Sequence, residues 1–174
     1  MDTLELQKKI SVSITDADSM KNDVVENSEK WKLANQIQDI MLNYIIFGYK
    51  DLYQRDDYWL LLDQIYQLVS NDQMMKYFLP AFPVKSPNKD QKVLGANVDF
   101  AESIALDNLL NVARKIEGVY GAGVKFIIMS DYHTFDQYIQ VDEESCHIYH
   151  EGLKEMIKNK GGDDVIELVD ILAV

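Results

Sequence analysis

Cations are scarce in this chain. Seventeen Lys and Arg stand against 29 Asp and Glu, giving a formal net charge of -12 and a pI near 4.5. So anionic a surface argues against sequence-independent binding of nucleic acid, which needs clustered Lys and Arg to displace counterions. A phosphorylated substrate would have to be met by the few cations concentrated in one place. Cysteine is nearly absent as well: Cys146 stands alone, which excludes an internal disulfide and makes a reducing cytoplasm the expected location. No apolar run approaches the ~18 residues needed to span a bilayer. The opening MDTLELQKKISVSITDADSM has no apolar stretch preceded by positive charge, so neither a membrane partner nor a signal peptide is expected.

Proline is equally sparse, and all three prolines fall within PAFPVKSPN, residues 80 to 88. Each fixes its own φ, restricts the residue before it and donates no backbone hydrogen bond. The segment therefore reads as a shaped loop that aims Lys85, Ser86 and Asn88, and not as a flexible connector, which would be built of Gly and Ser.

Elsewhere the periodicity is legible. Residues 1–27 are polar and weakly patterned and read as a loosely held arm. In the remainder, 28–174, a helical lead is expected over 28–73. Its first helix carries Ala34, Ile37, Met41, Tyr44 and Ile45 at helical spacing, with Ser28 as N-cap and Gly48 as stop. DDYWLLLDQIYQLVSN supplies a second helix, and the tryptophans Trp31 and Trp59 with their tyrosine neighbours read as core. From 74 to 172 the pattern predicts MMKYFL as a strand, DFAESIALDNLLNVARKIEGVY as a helix and VKFIIMS as a strand. EESCHIYHEGLKEMIKNK then predicts a helix and DDVIELVDILAV a last strand. The fold class is α/β, a Rossmann-like parallel βαβαβ sheet preceded by helices.

In such sheets ligands bind beyond the carboxyl ends of the strands, preferably where strand order reverses. The proline loop follows the first strand and SDYHTF ends the second, so Lys85, Ser86, Asn88, Ser130, Asp131 and His133 are expected on one rim. Each has a plain structural reading too. Lys85 alone reads as a solvated loop lysine, Ser86 and Asn88 as turn residues, and His133 as a loop cap. Asp99 with Glu102 fits a helix N-cap with its capping box. Cys146, His147 and His150 imitate metal ligands, but no complementary cluster exists elsewhere, so they read as helix surface and no metal is expected. Asp131 after a strand is also similar to the phosphorylated aspartate of response-regulator receivers. The chain lacks the early acidic pair and the late lysine of that arrangement.

PAFPVKSPN, followed by VLG, DFAESIAL, IIMSDYHTF and VDEE, resembles the N-terminal half of the isocyanide (isonitrile) synthases of the pyoverdine and dityrosine biosynthesis family, over roughly residues 74 to 172. The resemblance implies formation of an isonitrile on the amino nitrogen of tyrosine or tryptophan, with ribulose 5-phosphate as carbon donor and no cofactor. It also implies a separate iron(II) and 2-oxoglutarate dependent oxygenase as a pathway partner. Carried onto this chain, it assigns Lys85, Ser86, Asn88 and Ser130 to substrate binding, and Asp131, Glu102 and His133 to acid–base work. Lys85 would contact phosphate or polarise the ketone. Tyr132 stands where the family has glycine, and Gln137 where a second aspartate is usual, with Asp136 one place earlier.

Family enzymes continue with a substantial second half, so an open sheet edge and an uncovered apolar face are expected here. The chain then reads as a fragment, a truncated frame, one half of a split enzyme completed by a complementary piece or a second copy, or a degenerate member. Two readings stand: an isonitrile synthase, or a truncated, non-catalytic relic or interaction module that keeps the loop scaffold.

Overall fold

Apolar residues at helical spacing build the first elements. The computed structural model describes residues 27–44, 56–85, 94–130 and 141–170, and in it helix α1 covers 27–44 and helix α2 covers Asp56–Ser70. The chain divides into two compact units, Met1–Asp39 with Tyr49–Gln73 and Ile40–Gly48 with Met74–Val174.

In the first unit Ala34 and Ile37 of α1 are fully buried, and Tyr58, Leu62, Ile65 and Val69 of α2 nearly so. Gln38 is buried with them, and its Nε2 donates to the Tyr58 carbonyl at 2.8 Å, which offsets the loss of water around that nitrogen. Two expectations need correction. The tryptophans stay out of the core: Trp59 is 62% exposed, and Trp31 stacks on Tyr66 with centroids 4.2 Å apart. A residue as large as tryptophan beside a helix stripe is shielded by one neighbour more easily than it is swallowed. Ser28 is not the cap, since residue 27 is already helical. Gly48 lies outside the described residues. Helix α2 does end at Ser70, where Asp72 turns left-handed at φ 51 and Gln73 N–H reaches back to the Leu68 carbonyl.

Among its described residues the second unit holds three parallel strands in the order β1 (Met75–Pro80), β2 (Val124–Ser130), β3 (Ile166–Asp170). Register runs from Met75↔Val124 to Pro80↔Met129 and from Phe126↔Ile166 to Ser130↔Asp170. Helices α3 (Phe100–Glu117) and α4 (Glu143–Asn159) are the crossovers, so the α/β order read from the sequence is the one found. β2 sits between the other two strands and is almost continuously buried; β1, paired on one side, alternates, with Lys76, Phe78 and Pro80 exposed. That edge position is where a strand tolerates Pro80. Because sequence neighbours are sheet neighbours, the order of the described strands does not reverse, and the carboxyl edge alone marks the site.

Helix α3 packs on β2 and on α4. Leu106, Leu110, Val112 and Ile116 of α3 are buried, as are Phe126 and Ile128 of β2 and Leu153 and Ile157 of α4. The return from α4 to β3 depends on two glycines. Gly161 takes φ +67, and a Cβ at Gly162 would stand 3.2 Å from the Ile157 carbonyl oxygen.

Phe126 is fully buried at the centre of the sheet. Phe126→Ala is expected to lower unfolding stability by about 3–5 kcal/mol. Lys125→Ala next door loses only a partly exposed pair with Glu167 and is expected to cost under about 1 kcal/mol. Urea unfolding of the two variants against wild type checks both.

Candidate functional site

Parallel strands bring the ends of β1, β2 and β3 to one edge of the sheet, and α3 starts from the loop that follows β1 there. The first turn of that loop is strained. Phe82 has φ 58 although it precedes Pro83, a position that favours extended backbone. Packing holds it: Val84 is buried with Cys146 and Tyr149 of α4, and Phe82, Val98 and Val141 close around them. A Cβ on Gly152 would come within 3.2 Å of the Val98 side chain, so α4 also approaches the segment before α3 closely.

With Val84 anchored, Lys85 turns inward. Its Nζ donates to Asp99 Oδ2 at 2.7 Å and to Glu102 Oε2 at 3.0 Å, and its side chain is only 10% exposed. The reading of Lys85 as a solvated loop lysine is thereby overturned. The same carboxylates cap α3: Ala101 N–H donates to Asp99 Oδ1 at 2.8 Å, and Asp99 N–H to Glu102 Oε2 at 2.7 Å. The capping box and the lysine clamp are one structure. Glu102 is completed by Tyr149, whose hydroxyl donates to Oε1 at 3.2 Å, while the Lys85 ammonium lies 5.9 Å from the Tyr149 ring centroid.

Ser130 is buried at the end of β2, on the same carboxyl edge. Ser86, Asn88, Asp131 and His133 lie outside the described residues, as do Tyr132, Asp136 and Gln137. Thus Lys85 and Glu102 are brought into direct contact, and Asp99 bonds to both. Tyr149 escaped the sequence reading, although a tyrosine on a buried helix stripe needs a partner for its hydroxyl. The surface reading of the nearby cluster holds for His147 alone, because Cys146 and His150 turn inward. Among the described residues no group of three or more His, Cys, Asp or Glu is arranged to hold a metal ion. No described helix is long and apolar enough to cross a membrane.

A family profile described as pyoverdine/dityrosine biosynthesis protein matches residues 65–174, more than half of the chain. An L-tryptophan isonitrile synthase of Fischerella ambigua is 34% identical over 104 residues, 60% of this chain and 32% of that protein. An L-tyrosine isonitrile synthase of Xenorhabdus nematophila is 36% identical over 100 residues, 58% of this chain and 30% of that protein. The crystal structure of the PvcA protein from Pseudomonas aeruginosa superposes with a TM-score of 0.71 at 27% identity, covering 79% of this chain and 45% of that one. The chain therefore spans about a third of the length of these curated relatives and under half of the solved one.

Electrostatics sets how the cluster behaves with pH. The Lys85 hydrogen bond holds the Asp99 carboxyl below its ordinary range, helped by the Ala101 N–H. Burial pulls the Lys85 ammonium down, but hydrogen bonds and charge from Asp99 and Glu102 outweigh it, and the balance is upward. Asp99 thus contributes stability that is present above its unfolded pKa of about 4 and is lost as acid titrates the folded carboxyl. Lys85 contributes stability that is present below its unfolded pKa of about 10.4 and is lost as alkali passes its folded value. Lys85→Met, which leaves the Glu102 charge without its cation, is expected to lower stability by about 1–3 kcal/mol at neutral pH. It should also flatten the wild-type fall below about pH 4. Denaturant midpoints measured across pH check it; equal slopes for variant and wild type in acid would contradict the clamp.

Proposed function

We propose, on the premise that this chain belongs to the pyoverdine/dityrosine biosynthesis protein family, that it carries the acid–base part of an isonitrile-forming site. The amino nitrogen of tyrosine or tryptophan is the acceptor and ribulose 5-phosphate the carbon donor. Support comes from relatives named as tryptophan and tyrosine isonitrile synthases. The single observation that carries the reading is a largely buried carboxylate, Glu102, gripped by Lys85, the Asp99 N–H and Tyr149 at the carboxyl edge of the sheet.

The chemistry asks for such a group. An ammonium must lose a proton before its nitrogen attacks a sugar ketone, and the adduct must gain one before water leaves. Glu102 is our candidate to take and return that proton, with Tyr149 and Lys85 fixing its orientation. One ammonium facing two carboxylates leaves the cluster net negative, so it attracts the substrate's ammonium and repels a phosphate dianion. We therefore assign Lys85 to orienting Glu102 in preference to contacting phosphate. Ser86, Asn88 and Ser130 are proposed for the sugar phosphate, and Asp131 and His133 for the later proton transfers. Further contacts are proposed to come from a complementary polypeptide or a second copy, and an iron(II) and 2-oxoglutarate dependent oxygenase to consume the product.

The test is incubation of the chain with L-tyrosine or L-tryptophan and ribulose 5-phosphate, read by mass spectrometry for the isonitrile. Glu102→Gln is expected to lower the rate by about 10²–10⁴-fold while Tyr149→Phe lowers it less. Absence of product, both alone and with a complementary polypeptide supplied, would leave the non-catalytic interaction module as the better description.

A further inference from the structure

Strand β1 has one hydrogen-bonding edge open. Met75 N–H donates to the Gly123 carbonyl at 3.1 Å, so in the register Met75↔Val124 the residues bonded to β2 are Met75, Tyr77 and Leu79. The N–H and C=O groups of Lys76 and Phe78 point the other way, off the edge of the sheet. Among the described residues no backbone hydrogen bond from elsewhere reaches them. The outer edge of β3 is better closed, since Ile166 N–H donates to the Gly162 carbonyl at 2.8 Å. We infer that the open edge of β1 pairs with β1 of a second copy of this chain, antiparallel, about a two-fold axis at Tyr77. This pairing is independent of the chemistry proposed for Glu102.

The edge groups select both the partner and the register. A two-fold axis sets the same patch of both copies face to face, so a strand meets its own copy in reverse. With the axis at Tyr77, Lys76 stands opposite Phe78 of the second copy, and Phe78 opposite its Lys76. Each such pair exchanges two N–H···O bonds, and every outward group of Lys76 and Phe78 is then used. Other registers are poorer. An axis at Phe78 would set Lys76 against Pro80, which has no N–H to return. An axis at Lys76 would set two ammonium groups side by side.

The side chains agree with the backbone. Lys76 and Phe78 share one face of β1, both are exposed, and Phe78 keeps 57% of its surface in water. In this register each ammonium meets the ring of the other copy, a favourable contact of cation with aromatic face, and the pairing covers apolar surface. A lysine on an edge strand ordinarily discourages pairing. Here it excludes the register in which it would face its own kind and permits the one in which it faces a ring. The net charge of -12 opposes any self-association, but the one charged side chain of β1 is a cation. Antiparallel pairing sends the two carboxyl edges in opposite directions, so both candidate sites remain open.

Sedimentation equilibrium of the full chain, in salt sufficient to screen its charge, tests the pairing. Wild type is expected to form dimers. Lys76→Pro removes an outward N–H from each copy at an edge position where proline is tolerated. It is expected to weaken self-association at least about tenfold with an unchanged circular dichroism spectrum. A cross-link reads the register. Lys76→Cys and Phe78→Cys chains, mixed and oxidised, should form a disulfide between copies, because directly opposite residues stand ~5.5 Å apart. Neither variant alone should do so, because each cysteine then lies ~7–8 Å from its own counterpart. Should Lys76→Pro not fold, the cross-link decides, since both of its positions are exposed. Wild type that stays monomeric at every concentration overturns the inference, as does self-association that Lys76→Pro leaves unchanged. A disulfide formed as readily by either variant alone, or none from the mixture, overturns it as well.

Discussion

One ammonium between two carboxylates ties together three pieces of chain that are separate in sequence. Lys85 comes from the loop after β1, Asp99 and Glu102 from the start of α3, and Tyr149 from the middle of α4. Desolvating these charges costs as much as their attraction returns when packing is the only criterion, so apolar residues of the same volume would serve stability equally well. What the pairs supply is placement. A capping box alone would fix the first turn of α3; joined to Lys85 it also fixes the path of the proline loop.

That loop explains why so few prolines suffice. Pro80 ends an edge strand, Pro83 follows the strained Phe82, and the burial of Val84, next after Pro83, against Cys146 and Tyr149 keeps the chain turned inward. Rigidity here comes from three constraints acting on neighbouring residues, each too weak to define the loop alone. The left-handed Phe82 is tolerated because the packing around it over-determines its position.

The elements were legible because their signals are local. Strands, crossover helices and the Asp99–Glu102 box depend on spacing within a few residues, and the parallel order follows from the βαβαβ alternation. Lys85 was singled out by its place among prolines, but its partners lie 14 and 17 residues away and depend on how the loop folds back, which no local pattern encodes. Tyr149 was hidden by the histidines beside it, since a helix face is set by packing and not by chemical interest. Trp59 misled in the opposite sense: hydrophobic spacing placed it near a buried stripe, and its size kept it outside.

The acidity of the chain and the clamp point the same way. With a net charge of -12 the surroundings disfavour anions throughout, and the clamp does not reverse that locally, because Lys85 is already shared by two carboxylates. In the function we propose, a cationic amine is the partner such a field draws in, and the largely buried Glu102 is the group that takes its proton. On that proposal a phosphate would be bound away from the clamp, by backbone N–H groups and neutral side chains. Under the function we propose, the two substrates would in this way be kept apart by charge before they meet, with nitrogen led to the start of α3 and phosphate excluded from it.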